Sequence, residues 1–319
     1  MPNIKTLSII NVECFNKTTN MLSVLRENKT LRVLDIRDNN ISDYKHIADL
    51  IARNQHLQKL DIRGNEMDEE KIEQLWLDLR QNISLQELLY DQDSICHIDQ
   101  LASDCIYQEL LTNKFIVDTI LPRFLQAQQS SSTELKLSLA NFRLSDRREN
   151  SINSIQKFIK IKGIVDLNLT NTDIDGTQIK VLVAKLIDNG YGLTSLNLSR
   201  NNLIDKEACK AVAILIEKNT ALKHLDCSYT NIDVDGFKII MRACRRSTII
   251  TSLKFELCRI NLEQTDDWED VRDSLMHNTS ITELNLKGSI IEDCILDEFV
   301  EELKLNAQIV EMIYPIVKL

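Results

Sequence analysis

Residues 31–41 read LRVLDIRDNNI and residues 57–67 read LQKLDIRGNEM. Both carry apolar side chains at the first, fourth, sixth and eleventh places and an Asn, Asn39 or Asn65, at the ninth. The form recurs at 193–203 (LTSLNLSRNNL), 222–232 (LKHLDCSYTNI) and 281–291 (ITELNLKGSII), with Thr or Ser standing for the Asn in the last two. Weaker copies begin at Ile4, Leu85, Glu134, Ile164 and Ile250, and a truncated one at Ile309. Successive starts are separated by 27, 26, 28, 49, 30, 29, 29, 28, 31 and 28 residues. A fixed period of this length marks a repeat architecture, and it overrules the two-domain expectation that 319 residues would otherwise set.

The physics of one copy accounts for its pattern. Two apolar residues at period 2 place two side chains on one face of a short strand. The Asn then turns the chain, because its short polar side chain bonds nearby backbone groups. Between motifs the period changes to that of a helix. In KEACKAVAILIEKN (206–219), Ala208, Val212, Leu215 and Ile216 share one face. Asp205 is placed to cap the start of that helix, and Asn219 its end in a left-handed conformation. The same end cap is expected at Asn28, Asn54, Asn82, Asn278 and Asn306, with Asn189-Gly190 doing it once. That economy fits a chain with only 7 Gly and 3 Pro.

A strand-turn-helix unit cannot bury both apolar faces alone, whereas stacking the units in parallel buries them all. In these motifs the chain resembles the leucine-rich-repeat family, specifically its ribonuclease-inhibitor-like subfamily. The resemblance implies an α/β fold: a right-handed solenoid, or horseshoe, with a parallel inner sheet and outer helices. It implies a single domain over residues 1–319, with 1–30 as an N-terminal cap repeat and 309–319 as a C-terminal cap strand. The edges carry departures of their own, with Val12 and Cys14 at turn positions, Met312 and Tyr314 facing inward, and Pro315 removing a donor at the sheet edge. The 49-residue spacing holds a helical insertion at 96–132, read as one long or two short amphipathic helices with a kink at Pro122 and a polar exit loop at 126–132. It either packs as an enlarged outer repeat or projects to meet a partner.

Composition narrows the function classes. With 38 basic and 48 acidic residues, interspersed, the net charge is −10, which makes nucleic acid and anionic membrane unlikely partners. The opening residues lack the form of a signal peptide, and no apolar run is long enough to span a bilayer. The 8 cysteines form no CxxC pair and the 5 histidines no HExxH, so no metal or cofactor is expected, and the thiols read as reduced core residues of a cytosolic chain. No P-loop, GxGxxG or GxSxG is present, so no enzyme is expected. The acidic runs Asp68-Glu69-Glu70 and Asp266-Asp267-Trp268-Glu269-Asp270 are placed at helix starts, complementing the helix dipole and facing solvent. The N-x-S/T matches at Asn16, Asn28, Asn82, Asn168, Asn197 and Asn278 read as by-products of the repeat.

Parity locates the binding surface. Residues flanking the two core positions point out of the inner sheet. The middle row runs Ser8, Asp35, Asp61, Leu89, Ser138, Asn168, Asn197, Asp226, Lys254, Asn285. Ten such strands would span about 45 Å at ~4.8 Å each, a size suited to a protein domain. Asp35 and Asp61 fall side by side, with Arg37 and Arg63 in the next row to neutralise them. Two candidate partner-binding patches follow. One is Asp35, Arg37, Lys59, Asp61 and Arg63; the other is Arg200, His224, Tyr229, Lys254, Glu256, Leu257 and Arg259, a mix of the types enriched in interface hot spots. The expected function is a non-enzymatic protein–protein interaction scaffold, monomeric alone, that binds a protein partner on its concave face. Inhibitor, adaptor and bacterial effector (in a host cytosol) are the roles the resemblance implies. Regulation of a small GTPase is the alternative, with Arg37, Arg63 or Arg200 supplying charge.

Overall fold

The period-2 stretches form strands, and their pairing is parallel throughout. A computed structural model describes residues 4–12, 21–41, 44–65, 69–91, 99–127, 135–144, 148–188, 192–203, 205–262, 265–292, 295, 311–313 and 316–317. The chain forms two compact units, residues 1–122 with 153–161 and residues 123–152 with 162–319. Cys14, Asn16, Tyr314, Pro315, Asn306 and most of the 126–132 exit loop lie outside the described residues.

In the first unit, β1 (Thr6–Ser8), β2 (Val33–Asp35), β3 (Lys59–Asp61) and β4 (Glu87–Leu89) form a four-stranded sheet. Its register aligns Ser8, Asp35, Asp61 and Leu89 in one row. In the second unit, β5 (Lys136–Ser138), β6 (Asp166–Asn168), β7 (Ser195–Asn197), β8 (His224–Asp226), β9 (Ser252–Lys254), β11 (Glu283–Asn285) and β13 (Glu311–Ile313) form a seven-stranded sheet. There Ser138, Asn168, Asn197, Asp226, Lys254 and Asn285 align. The expected inner wall of ten strands is thus corrected to sheets of four and seven. A small third sheet, unforeseen, joins β10 (Asn261–Leu262), β12 (Ile290–Ile291) and β14 (Ile316–Val317). β10 begins just past the eleventh position of its motif and β12 takes the tenth and eleventh of its own, where the sequence shows no strand alternation.

Helices alternate with the strands: α1 (Lys45–Arg53) and α2 (Glu69–Leu79) in the first unit, α6 (Gly176–Asp188), α7 (Lys206–Lys218), α8 (Val234–Cys244) and α9 (Thr265–His277) in the second. Their apolar faces meet the strand residues. Leu167, Leu196, Leu225, Leu253 and Leu284, one per strand, are 0–1% exposed. Each such burial is worth about 1.5–3 kcal/mol. Within the 96–132 insertion, α3 (Asp99–Phe115) passes through a π turn (Ile116–Ile120) into α4 (Leu121–Ala127). Pro122 has no N–H for the carbonyl four residues back, and the chain widens to an i→i−5 bond from Leu121 to Ile116 just before it. The next helix, α5 (Arg148–Lys162), brings Lys157 into the first unit. The Lys157 ammonium spends three donors on Leu79 O, Glu109 and Asn113 at 2.7–2.8 Å.

Two expectations about Asn need correcting. Asn54 and Asn219 end their helices in extended backbone (φ −78° and −79°), not left-handed. Their work is done by the side chain instead. Asn54 Oδ1 accepts from the N–H of His56 and Leu57, while its Nδ2 donates to Leu25 O and Asn28 O one repeat back. Asn82 repeats this on Ile51 O and Asn54 O, and Asn278 on Cys244 O and Ser247 O. An amide stitching each helix end to the preceding repeat leaves Asn82 and Asn278 only 1% and 3% exposed, which removes them as glycosylation acceptors. The Asp205 cap forms as expected, accepting from Glu207 N at 2.9 Å. The acidic run at α9 does not simply face solvent. Asp267 and Asp270 pair with Lys238, Asp270 with Arg242, and Asp273 with Arg245, joining α9 to α8.

Candidate functional site

The turn after each strand is built by two adjacent residues. Where the motif's ninth residue is Asn, it points inward and satisfies buried backbone. Asn39 Nδ2 donates to Ile9 O and Ile36 O, Asn65 to Ile36 O and Ile62 O, and Asn201 to Leu169 O and Leu198 O. Thr172, Thr230 and Cys258 do part of this with shorter side chains. The eighth residue must then lie left-handed, at φ between 51° and 82°: Asn11, Asp38 and Gly64 in the first unit, and Asn141, Asn171, Arg200, Tyr229, Leu257 and Gly288 in the second. That backbone sends its N–H to the next repeat, as Arg200 N does to Ser228 O and Tyr229 N to Glu256 O.

Gly, Asn and Asp visit this region at low cost; Arg, Tyr and Leu do not. Strained backbone of this kind is kept where the side chain has work to do. The strained side chains make contact with one another or their neighbours. The Arg200 guanidinium lies over the Tyr229 ring at 4.4 Å. Tyr229 OH donates to Glu256 at 3.2 Å, and Lys287 pairs with Glu256 at 3.0 Å. Lys287 holds the Glu256 carboxyl below its ordinary range, against burial, and Tyr229 adds to the effect. Leu257, 48% exposed, leans over Gly288, where any Cβ would come within 2.4 Å of it.

The second candidate patch is therefore assembled in part. Arg200, Tyr229 and Glu256 form one chain of contacts. Lys254 lies in the strand row and pairs with Glu283 at 2.8 Å. Burial would raise the Glu283 carboxyl, but the bonds from Lys254 and Ser252 outweigh it and hold it low. His224 is exposed at the start of β8. Arg259 lies past the turn, where its backbone bridges to Asp233, and its side chain does not join this chain of contacts. Sequence reading missed Lys287 and Glu283 as members, because the pairs they complete are 29 and 31 residues apart.

The first patch is closed on itself. Arg37 grips Asp35 with two bonds (3.0 and 2.9 Å) and reaches Asp61 at 3.4 Å. Arg63 grips Asp61 at 3.0 and 2.7 Å, and Lys59 pairs with Glu87 at 2.6 Å. The bond from Arg37 holds the Asp35 carboxyl below its usual range, and the bond from Asp35 raises the Arg37 guanidinium in turn. Bidentate Arg–carboxylate pairs are among the stronger polar contacts, so these charges are already spent. The carboxylate pair of the sequence reading exists, neutralised as expected.

The family model described as Leucine Rich repeat matches residues 27–43, 53–70 and 193–213. Those stretches are the motifs whose strands and inward Asn residues are described above. These are leucine-rich repeats. Comparison with the curated proteins gives no match. Among solved structures, the leucine-rich repeats resemble the actin-binding site 2 of leiomodin-1 at 19% identity and a TM-score of 0.41, over 49% of this chain and 88% of that one. They also resemble the C-terminal domain of Caenorhabditis elegans tropomodulin (13%, 0.41, 49% and 92%) and an internalin of Listeria monocytogenes (13%, 0.35, 98% and 87%). Among the described residues no group of His, Cys, Asp and Glu lies together as a metal site, and no helix is long and apolar enough to cross a membrane.

Proposed function

We propose that this chain is a non-enzymatic scaffold that binds a protein partner on the inner face of the seven-stranded sheet, at the turn edge of β7 to β9. The observation that carries this is the row Arg200, Tyr229 and Leu257, three bulky residues in left-handed backbone with exposed or half-exposed side chains. Folding alone would favour Asn or Gly there, as at Asn171 and Gly288. The strain, the aromatic–Arg stack and the adjoining Lys254 and Glu256 supply the residue types on which interfaces concentrate their energy. The patch at Asp35 and Asp61 contributes less, since a partner would have to replace bidentate pairs already made. The same pairing removes Arg37 and Arg63 as charge donors in the GTPase-regulating alternative, since carboxylates hold both, and leaves Arg200 as its candidate. A reducing compartment suits the described cysteines, which are free thiols, Cys209, Cys227, Cys244 and Cys258 being buried.

The test is affinity capture from cytosolic extract with wild type and the variant Arg200→Glu/Tyr229→Ala/Lys254→Glu, both checked for folding by circular dichroism. A protein retained by the wild type and lost by the variant supports the reading. Equal retention overturns it and directs attention to the 96–132 insertion; loss with an Arg37→Glu/Arg63→Glu variant alone overturns it in favour of the first patch.

A further inference from the structure

Along the turns of four consecutive repeats runs a polar groove of about 360 Å³. Its two banks come from alternate residues of the turns. Asn141, Asn171, Arg200 and Tyr229, at the eighth motif position, form one bank. Arg143, Asp173, Asn202 and Asn231, at the tenth, form the other. All belong to the second unit, and the floor is Asn201, whose amide is fully committed to backbone.

The charges along this groove are uneven. Arg143 makes no hydrogen bond, ion pair or ring contact among the described residues. Arg200 touches only the Tyr229 ring there, with no carboxylate partner. By contrast Arg37, Arg63, Arg242 and Arg245 are each paired with an aspartate. In a chain of net charge −10, two exposed guanidinium groups left unpaired in one groove select an anion. They stand on opposite banks, two repeats apart, which is about 9.6 Å at ~4.8 Å per strand. Between them, on the Arg143 bank, stands Asp173.

We propose that this groove takes an extended acidic segment of a protein partner, with two carboxylates three residues apart. In an extended chain, residues i and i+3 are separated by about 10 Å and point to opposite sides. That is the separation and the sidedness of Arg143 and Arg200. The groove therefore reads an acidic residue, two intervening residues and a second acidic residue. Asn202 and Asn231 offer amides to the main chain of the segment. This deepens the protein-binding reading above, since Arg200 and Tyr229 belong to both, and adds Arg143 as a determinant that lies off the sheet face.

The experiment is fluorescence anisotropy on the full chain at low ionic strength, with a labelled peptide containing Glu-Val-Lys-Glu. The expected result is saturable binding, at least tenfold weaker for Gln-Val-Lys-Gln. Arg143→Gln and Arg200→Gln should each weaken it about tenfold, Arg143→Lys should keep part of it, and Arg259→Gln, off the groove, should leave it unchanged. Equal binding of the Gln peptide, or no effect of Arg143→Gln, overturns the proposal. So does displacement by inorganic phosphate mole for mole with unlabelled peptide, which would reassign the groove to a free anion. Lys254→Glu separates the two readings. Loss of partner capture with no peptide binding defeats the groove and leaves the sheet-face reading standing; peptide binding with capture unaffected does the reverse.

Discussion

Replacing Asn201 by Ala tests the account of how the repeats are held together. The Asn201 amide is 3% exposed and makes five bonds to backbone and one to the Thr172 hydroxyl. Its Nδ2 donates to Leu169 O at 2.7 Å and Leu198 O at 2.9 Å; its Oδ1 accepts from Thr172 N at 3.0 Å and Ile174 N at 3.2 Å. Ala leaves Leu198 O and the N–H groups of Thr172 and Ile174 without these partners, while Leu169 O keeps the bond from Thr172 Oγ1. At about 1 kcal/mol net for each of the three, the loss is about 3 kcal/mol. Thr should recover part of it, because Thr172 and Thr230 reach the carbonyl three residues back from the same motif position. Asn201→Thr is therefore expected to cost about 2 kcal/mol. Asn202→Ala, one residue on and exposed, should change stability by less than about 0.5 kcal/mol. Urea unfolding followed by circular dichroism supplies the free energies. Two compact units need not unfold together, so hydrogen exchange over 164–174 and 193–203 should localise the damage. A cost below about 1 kcal/mol for Asn201→Ala, or unchanged exchange at Thr172 and Ile174, would refute the reasoning.

Leu225→Asp buries a charge without a partner at a site 1% exposed, and should cost at least about 4 kcal/mol, read as loss of cooperative unfolding in the second unit. Arg200→Asn should leave stability no lower than wild type, since Asn accepts the left-handed φ of 58° that strains Arg, while partner capture falls. The carboxyls of Asp35 and Glu283 are held below their ordinary values of 3.8 and 4.5. Their contribution is thus complete above about pH 5 and is lost as pH falls through the lowered folded values. Unfolding between pH 6 and 2 should show the loss, and Asp35→Asn should flatten it. Burial pushes the thiols of Cys209 and Cys244 up to about 12, so both should resist alkylation at pH 8 until urea exposes them, as mass spectrometry of labelled peptides would report.

Much of this molecule is legible along the chain. Leu196 and Leu198 announce a strand and its buried face by parity, and Asn197 and Asp226 announce the neighbouring row, because strand period and repeat period are local properties of residue order. The parallel strands and the alignment of the inner rows follow from them. The fate of each polar group does not. Asn54 and Asn82 look like left-handed caps from their place at helix ends; only the stacking of one repeat on the last presents the carbonyls their amides take up. Arg37 and Arg200 are equally prominent in the sequence, yet one is spent on Asp35 and Asp61 and the other stands free of carboxylates. Arg143 attracts no notice in a strand-centred reading and becomes a groove wall through turns from four repeats. Charge pairing between repeats joins residues 24 to 32 positions apart, according to which side chains the stacked turns bring together, and the repeat period alone does not say which will meet.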